Sequence, residues 1–367
     1  MRLSIAGKYR RRQTGWFCLG INYEEIYMNT PKKREEYFDV AKGIAILTVI
    51  MGHVIHDCTL KNWIFSFHMP IFFLISGYFF YKKESKGFIE AKARQLLIPY
   101  AITCIGIMIS SVIVNLSLNN VSAIGGSTKE WIIASLYGSG GVHEVPFHIP
   151  QIGATWFLWA LFISLVIMNS IVDSKYSYLI VISLFFVGQK SSELVWLPMS
   201  IQPALVCLLF VYLGYMCKKE KILQKDLPKG WVVAIAIIWA VSFIYGGHMY
   251  LVGCYFGNGI LDIIGALCGS YIMILVSRVI VRKTKFISRI LQFFGRSTLP
   301  ILCFHLIEQN TFPWWKVQEL CWSVGFNHSE MAILFCKYVF MLVALVLVYN
   351  IPVLRKIFSV EREMKNG

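Results

Sequence analysis

Charge is scarce in this sequence. Asp, Glu, Lys and Arg supply 15% of its 367 residues, against about a quarter in an ordinary soluble domain. Acidic residues are the scarcer sign, 20 against 35 Lys and Arg, for a net charge of +15. The ten cysteines contain no CxxC pair. Cys104, Cys207, Cys268 and Cys303 fall inside apolar runs, where a free thiol behaves as a small hydrophobe. Neither a zinc site nor a disulfide framework is signalled, and no metal is expected. Residues 1–30 lack an apolar stretch long enough for a signal-peptide core. No internal repeat is visible, which argues against transporters built from two repeated halves.

What the sequence has instead is apolar length. Hydrophobic residues make up 57% of the chain and the mean hydropathy is +0.61. The excess comes in blocks of about 18 to 22 residues, long enough to cross the hydrocarbon core as helices. The expectation is an all-α, polytopic integral membrane protein of about ten transmembrane helices. Their limits are placed at 38–57, 62–81, 96–117, 154–173, 176–190, 199–217, 231–247, 259–281, 295–312 and 330–353. The outer loops then hold only Lys61, Lys129, Lys190 and Lys316, while the other loop cations collect on the opposite side. By the positive-inside rule both termini are cytoplasmic, in the cell (inner) membrane. The same placement explains the basic charge without nucleic acid as a partner.

Residues 1–37 are expected to be a cytoplasmic tail, with 1–27 read as an upstream mis-start or a dispensable extension. Residues 38–353 form the membrane domain and 354–367 a second cytoplasmic tail. The longest outer loop, 118–153, contains "STKEWIIASLYG", which reads as a short interfacial helix.

Polar and ionisable groups inside spans are costly and therefore candidates for function. The first span, "FDVAKGIAILTVIMGHVIHD", holds the densest set. Asp39 and Lys42 lie at its cytoplasmic edge, and His53 follows Lys42 by eleven residues. On one helix that spacing puts both on one face, about 16 Å apart along the axis. Lys42 can then meet the phosphates of a coenzyme A thioester while the pantetheine arm runs toward His53. A His there can take a proton from an attacking hydroxyl, Asp57 can orient its ring, and Asp39 can pair with Lys42. The second span adds His68 and Ser76, and the ninth adds His305 and Glu308, three residues apart and thus helical neighbours. Lys92, Arg94 and Arg296 lie at cytoplasmic ends, where an Arg fork suits phosphate. Trp156 opens the fourth span, as a belt aromatic or a ring on which a sugar stacks.

These motifs resemble one family. "REEYFDVAKGIAILTVIMGHVIH" followed by "FSFHMPIFFLISGYFF", then "KARQLLIPY", "ATWFLWAL" and "GRSTLPILCFH", are similar to the membrane-bound acyltransferase 3 family. The nearest branch is that of sugar O-acetyltransferases related to fucose 4-O-acetylase. The resemblance covers about Lys33 to Arg355 and implies ten helices in a stand-alone enzyme. It implies acetyl-CoA, or another acyl-CoA, as donor substrate, with no permanently bound cofactor. It also implies an envelope polysaccharide or lipid-linked sugar as acceptor. It makes His53 the essential residue, with Lys42 at the family's basic position, ten intervening residues before it. Where many members carry a doubled Arg before the third span, this chain has Lys92 and Arg94. Two readings compete: a glycolipid or polysaccharide transporter, and a non-catalytic subunit of polysaccharide synthesis.

Overall fold

The computed structural model describes residues 35–225, 227–245 and 249–358. The expectations for residues 1–34 and for the end of the C-terminal tail lie outside the described residues.

The described chain is nearly all helix. In order the helices are α1 (Glu36–Gly52), α2 (Cys58–Phe65), α3 (His68–Tyr78), α4 (Ser85–Ser117), α5 (Ile124–Tyr137), α6 (Trp156–Ile171), α7 (Ser177–Leu194), α8 (Ile201–Lys219) and α9 (Lys229–Ile244). They continue as α10 (Ile260–Lys283), α11 (Lys285–Arg296), α12 (Thr298–Thr311), α13 (Trp314–Ser323), α14 (Ser329–Asn350) and α15 (Pro352–Ile357). One antiparallel two-stranded ribbon, β1 (Met249–Tyr250) with β2 (Tyr255–Phe256), sits between α9 and α10.

Each expected span coincides with a helix, but fewer meet the demands of a bilayer. Among the described residues, six helices are long and apolar enough to cross one, counting α2 and α3 together as Cys58–Tyr78. A seventh arises if α11 and α12, bent by 69°, count together. The others fall short for local reasons. α1 has 17 residues and carries Glu36, Asp39 and Lys42, α7 ends in the polar run Gln189 to Glu193, and α9 has 16 residues.

Two of the expected spans are broken near a proline. Pro70 and Pro300 are each the third residue of their helix, α3 and α12. A proline lacks an N–H, and the first turn is where that donor has no intrahelical partner anyway. A helix therefore starts just before each proline instead of running through it. At the first break Ser66 Oγ donates to Trp63 O at 2.7 Å and accepts from Trp239 Nε1 at 2.8 Å. At the second, α11 folds back along α1. Its Ser288, Gln292 and Gly295 are buried, and Phe286, Ile287, Ile290 and Phe293 are exposed. An exposed apolar face on a short basic helix suits the bilayer interface.

Small residues let backbones touch where helices cross. A Cβ on Gly43 would lie 2.1 Å from Leu291 O, and one on Gly295 would lie 1.8 Å from Asp39 O, so α1 and α11 meet main chain to main chain. α3 and α8 meet the same way, through Gly77 against Val211 O and Gly214 against Leu74 O, at 1.9 and 2.0 Å. A backbone carbonyl cannot move aside as a side chain can. Gly214→Ala is expected to cost about 1–3 kcal/mol by overpacking, although alanine is the better helix former. Gly125→Ala, with nothing within 4 Å of its Cβ, is the control. Thermal unfolding of the two proteins in detergent checks it, and equal midpoints would contradict the crossing. α8 is central, packed against α3, α6 and α7, while α1 lies between α11, α10 and α3.

Candidate active site

The site is built along α1. At its first turns Asp39 is buried, 3% exposed. Its Oδ1 lies 2.8 Å from Lys42 Nζ and its Oδ2 lies 3.5 Å from Arg296 Nε. One carboxylate thus brings together a cation from α1 and a cation from the α11–α12 elbow. Arg296 is steadied further by Gln292 Oε1, which accepts from its Nη2 at 3.0 Å.

A cavity of about 520 Å³ opens beside this cluster. Lys42, Lys83 and Lys92 line it, and most of the remaining wall is apolar, with Ile46 and Val49 of α1, Phe72 of α3 and Leu302 of α12. Lys42, Ile46 and Val49 follow one another at helical spacing, and that face points along α1 toward His53. The cavity therefore joins three lysines to an apolar lane along α1, and neither His53 nor His305 is among its lining residues.

His53 lies one residue past the end of α1. Its N–H donates to Ile50 O at 3.3 Å, closing a tight turn, so the alignment with Lys42 is that of a helix with its last step turned aside. A side chain at Gly52 would press on Ile64 and Phe65 at 3.2 Å, and the chain reverses there into α2. Asp57 does not hold the His53 ring. It caps α2, accepting from Leu60 N–H at 2.7 Å, because a helix start is the stronger local demand on an Asp.

What His53 does meet is His305, whose ring centre lies 5.3 Å away. His53 keeps accessible surface while His305 is fully buried. Behind them runs a closed polar chain. His305 Nδ1 lies 2.6 Å from Glu308 Oε1, and Lys337 Nζ donates to Glu308 Oε2 at 2.7 Å and to Gln309 Oε1 at 2.6 Å. Lys337 Nζ also sits 4.4 Å from the centre of the Trp314 ring. Glu308 is 0% exposed and Lys337 2%. A buried charge pair persists only when its hydrogen bonds are also made, and here they are. With Nδ1–H given to the carboxylate, the other ring nitrogen of His305 takes no part in this chain. That Nε2 is buried and has no hydrogen-bond partner.

The other residues singled out in the sequence divide. Ser76 lines the cavity, with its Oγ donating to Phe72 O at 2.7 Å. Lys92 lines it too, donating to Gln95 Oε1 at 2.9 Å, whereas Arg94 is exposed outside it. His68 is buried with Nδ1 2.8 Å from Ile64 O, which serves the break between α2 and α3. Trp156 is 4% exposed and packs on Phe73, their rings 6.3 Å apart. Neither His68 nor Trp156 reaches the cavity. Lys337 is absent from the sequence reading. It stands inside the apolar run of α14, "AILFCKYVFMLVALVLV", and a lysine in such a run is the signal that would have found it.

The sequence matches the family described as Acyltransferase domain over residues 35–350. Among curated proteins the chain is similar to the nodulation protein NolL of Mesorhizobium japonicum, 27% identical over 232 residues, 58% of this chain and 52% of that protein. It is also similar to the nodulation protein NolL of Sinorhizobium fredii, 28% identical over 148 residues, 36% of this chain and 35% of that protein. The chain spans about half the length, or less, of these relatives. No solved structure matches it.

Proposed function

The chain belongs to the acyltransferase family that it matches over residues 35–350, and from that premise we propose that it is an integral membrane O-acyltransferase. It takes an acyl group, acetyl first, from acyl-CoA on the cytoplasmic side. It passes that group to a hydroxyl of an envelope polysaccharide or lipid-linked sugar that reaches His53 from the other side. Ten spans with both termini cytoplasmic complete the topology.

One observation carries the reading: a largely apolar cavity lined also by Lys42, Lys83 and Lys92 lies on the α1 face that leads toward the His53–His305 pair. A coenzyme A thioester has the matching shape, with phosphates at one end and an extended arm that ends in the reactive carbonyl. In the reaction His53 takes the proton of the sugar hydroxyl. The hydroxyl oxygen forms a bond to the thioester carbon, the C–S bond breaks, and the departing sulfur takes the proton back. The products are the sugar ester and free coenzyme A. His305 stands 5.3 Å from His53, held by Glu308 and Lys337. There it keeps the site polar and oriented in a low-dielectric interior, where fixed dipoles act most strongly. The charges gather at two depths instead of along a through-path, which fits transfer better than transport.

Transfer of label from radiolabelled acetyl-CoA to glycan, in membranes carrying the protein, tests this. Label in the glycan supports the reading and identifies the acceptor. No transfer from acetyl-CoA or succinyl-CoA would overturn it.

The donor end makes its own prediction. Lys42→Ala and Lys92→Ala should each raise KM for acyl-CoA about tenfold, the usual worth of one charge-assisted hydrogen bond. Arg94→Ala, outside the cavity, should leave KM unchanged. Initial rates against acyl-CoA concentration decide it. A rise in KM with Arg94→Ala and none with Lys92→Ala would place the donor elsewhere.

A further inference from the structure

A second pair of cavities lies on α1, near the end that carries Asp39 and Lys42. One, of about 380 Å³, is lined by Tyr37, Leu223, Gln224, Arg278, Val281 and Arg282. Arg278 and Arg282 are four residues apart on α10 and so project on one face. Among the described residues no carboxylate lines this cavity. Arg278 is pre-set. Its guanidinium stacks 4.6 Å from the Tyr37 ring centre, and its Nη2 donates to Leu223 O at 2.6 Å. Arg282 is exposed.

The other cavity, of about 260 Å³, lies between α1, α3, α8, α9 and α10 and is almost wholly apolar. Phe38, Leu74, Leu267, Cys268 and Ile274 are among its walls. The two are neighbours. Leu223 lines both, and Tyr37 of the first is followed in the chain by Phe38 of the second. The catalytic reading uses neither cavity.

Two arginines beside an apolar groove, at one end of a helical bundle, match the two halves of an anionic lipid. Basic pockets between membrane helices take phosphate head groups, and an apolar groove takes a chain. We propose that the protein binds one anionic glycerophospholipid of the bilayer, its phosphate at Arg278 and Arg282 and one acyl chain in the groove beneath Leu223. A free phosphate or a nucleotide would use the arginines and leave the groove empty, so the groove favours the lipid. The seat ties together α1, α8 and α10, and α1 carries the candidate active site.

The full chain reconstituted in bilayer discs of phosphatidylcholine with a minor share of phosphatidylglycerol tests this. Lipid retained after transfer to detergent is counted by native mass spectrometry. The unaltered protein should retain phosphatidylglycerol in preference to phosphatidylcholine. Arg282→Gln, an exposed change that leaves folding alone, should lower that retention about fivefold, the effect of one basic residue on an anionic lipid. Cys268→Phe, which fills the groove, should lower it too. Equal retention by Arg282→Gln and the unaltered protein would overturn the proposal. Displacement of the lipid by inorganic phosphate or coenzyme A, with Cys268→Phe unchanged, would also overturn it by showing a small-anion site.

Discussion

His53→Ala should lower acyl transfer by about 10²- to 10⁴-fold, the contribution of a positioned general base, while the protein still inserts in normal amount. Both halves follow from where the residue sits. His53 lies beyond the last turn of α1, keeps accessible surface, and packs no apolar core. Its removal therefore costs little stability. What it does contact is the His305 ring at 5.3 Å, so its loss empties the position between the apolar lane and the buried polar chain. His53→Gln should be as inactive as the alanine variant, because an amide does not take a proton near neutral pH. His305→Ala should remove less activity than His53→Ala, since His305 orders the site from behind. The measurement is the initial rate of label transfer per inserted protein, with substrate saturating so that the loss falls in kcat. A His53→Ala protein with full activity would end the mechanism.

Much of this was legible in the sequence, for physical reasons, and some was not. Apolar length places helices because a run of that length has one stable form in lipid, which explains why each expected span holds a helix. Where a helix ends is a more local matter. The expected spans 62–81 and 295–312 do not show their breaks in hydropathy. The breaks coincide with Pro70 and Pro300, whose missing N–H suits a first turn, although α4 runs through Pro99 unbroken. Which charge faces inward is also a matter of angle. Lys92 and Arg94 are two residues apart, about 200° around one helix, so one cavity can take only one of them, and it takes Lys92. The pairing of Asp39 with Lys42 was readable from spacing. The role of Asp57 was not, because a capping bond to Leu60 N–H depends on a turn that the sequence does not display. Hydropathy hid Lys337 by averaging one cation into a long apolar window.

That lysine carries the second large effect. Lys337→Met keeps length and apolar stem and removes only the ammonium group. It leaves the carboxylate of Glu308, 0% exposed, without its cation. Breaking one side of a buried ion pair typically costs about 3–5 kcal/mol, so the variant should unfold earlier in detergent and accumulate less. It should also lose activity out of proportion to its abundance. Glu308 then no longer has the partner that fixes it against His305 Nδ1, and the imidazole beside His53 loses its orientation. The double change Lys337→Met with Glu308→Leu separates the two effects. Replacing both charges by apolar groups of similar size removes the unpaired carboxylate, and such swaps are often neutral or stabilising. Thermal stability should therefore recover toward that of the unaltered protein. Activity should not, because His305 is then held by nothing. Unfolding midpoints and kcat for the four proteins of this cycle give both readouts. If the double variant recovered activity along with stability, the buried chain would serve packing alone and His53 would work without it.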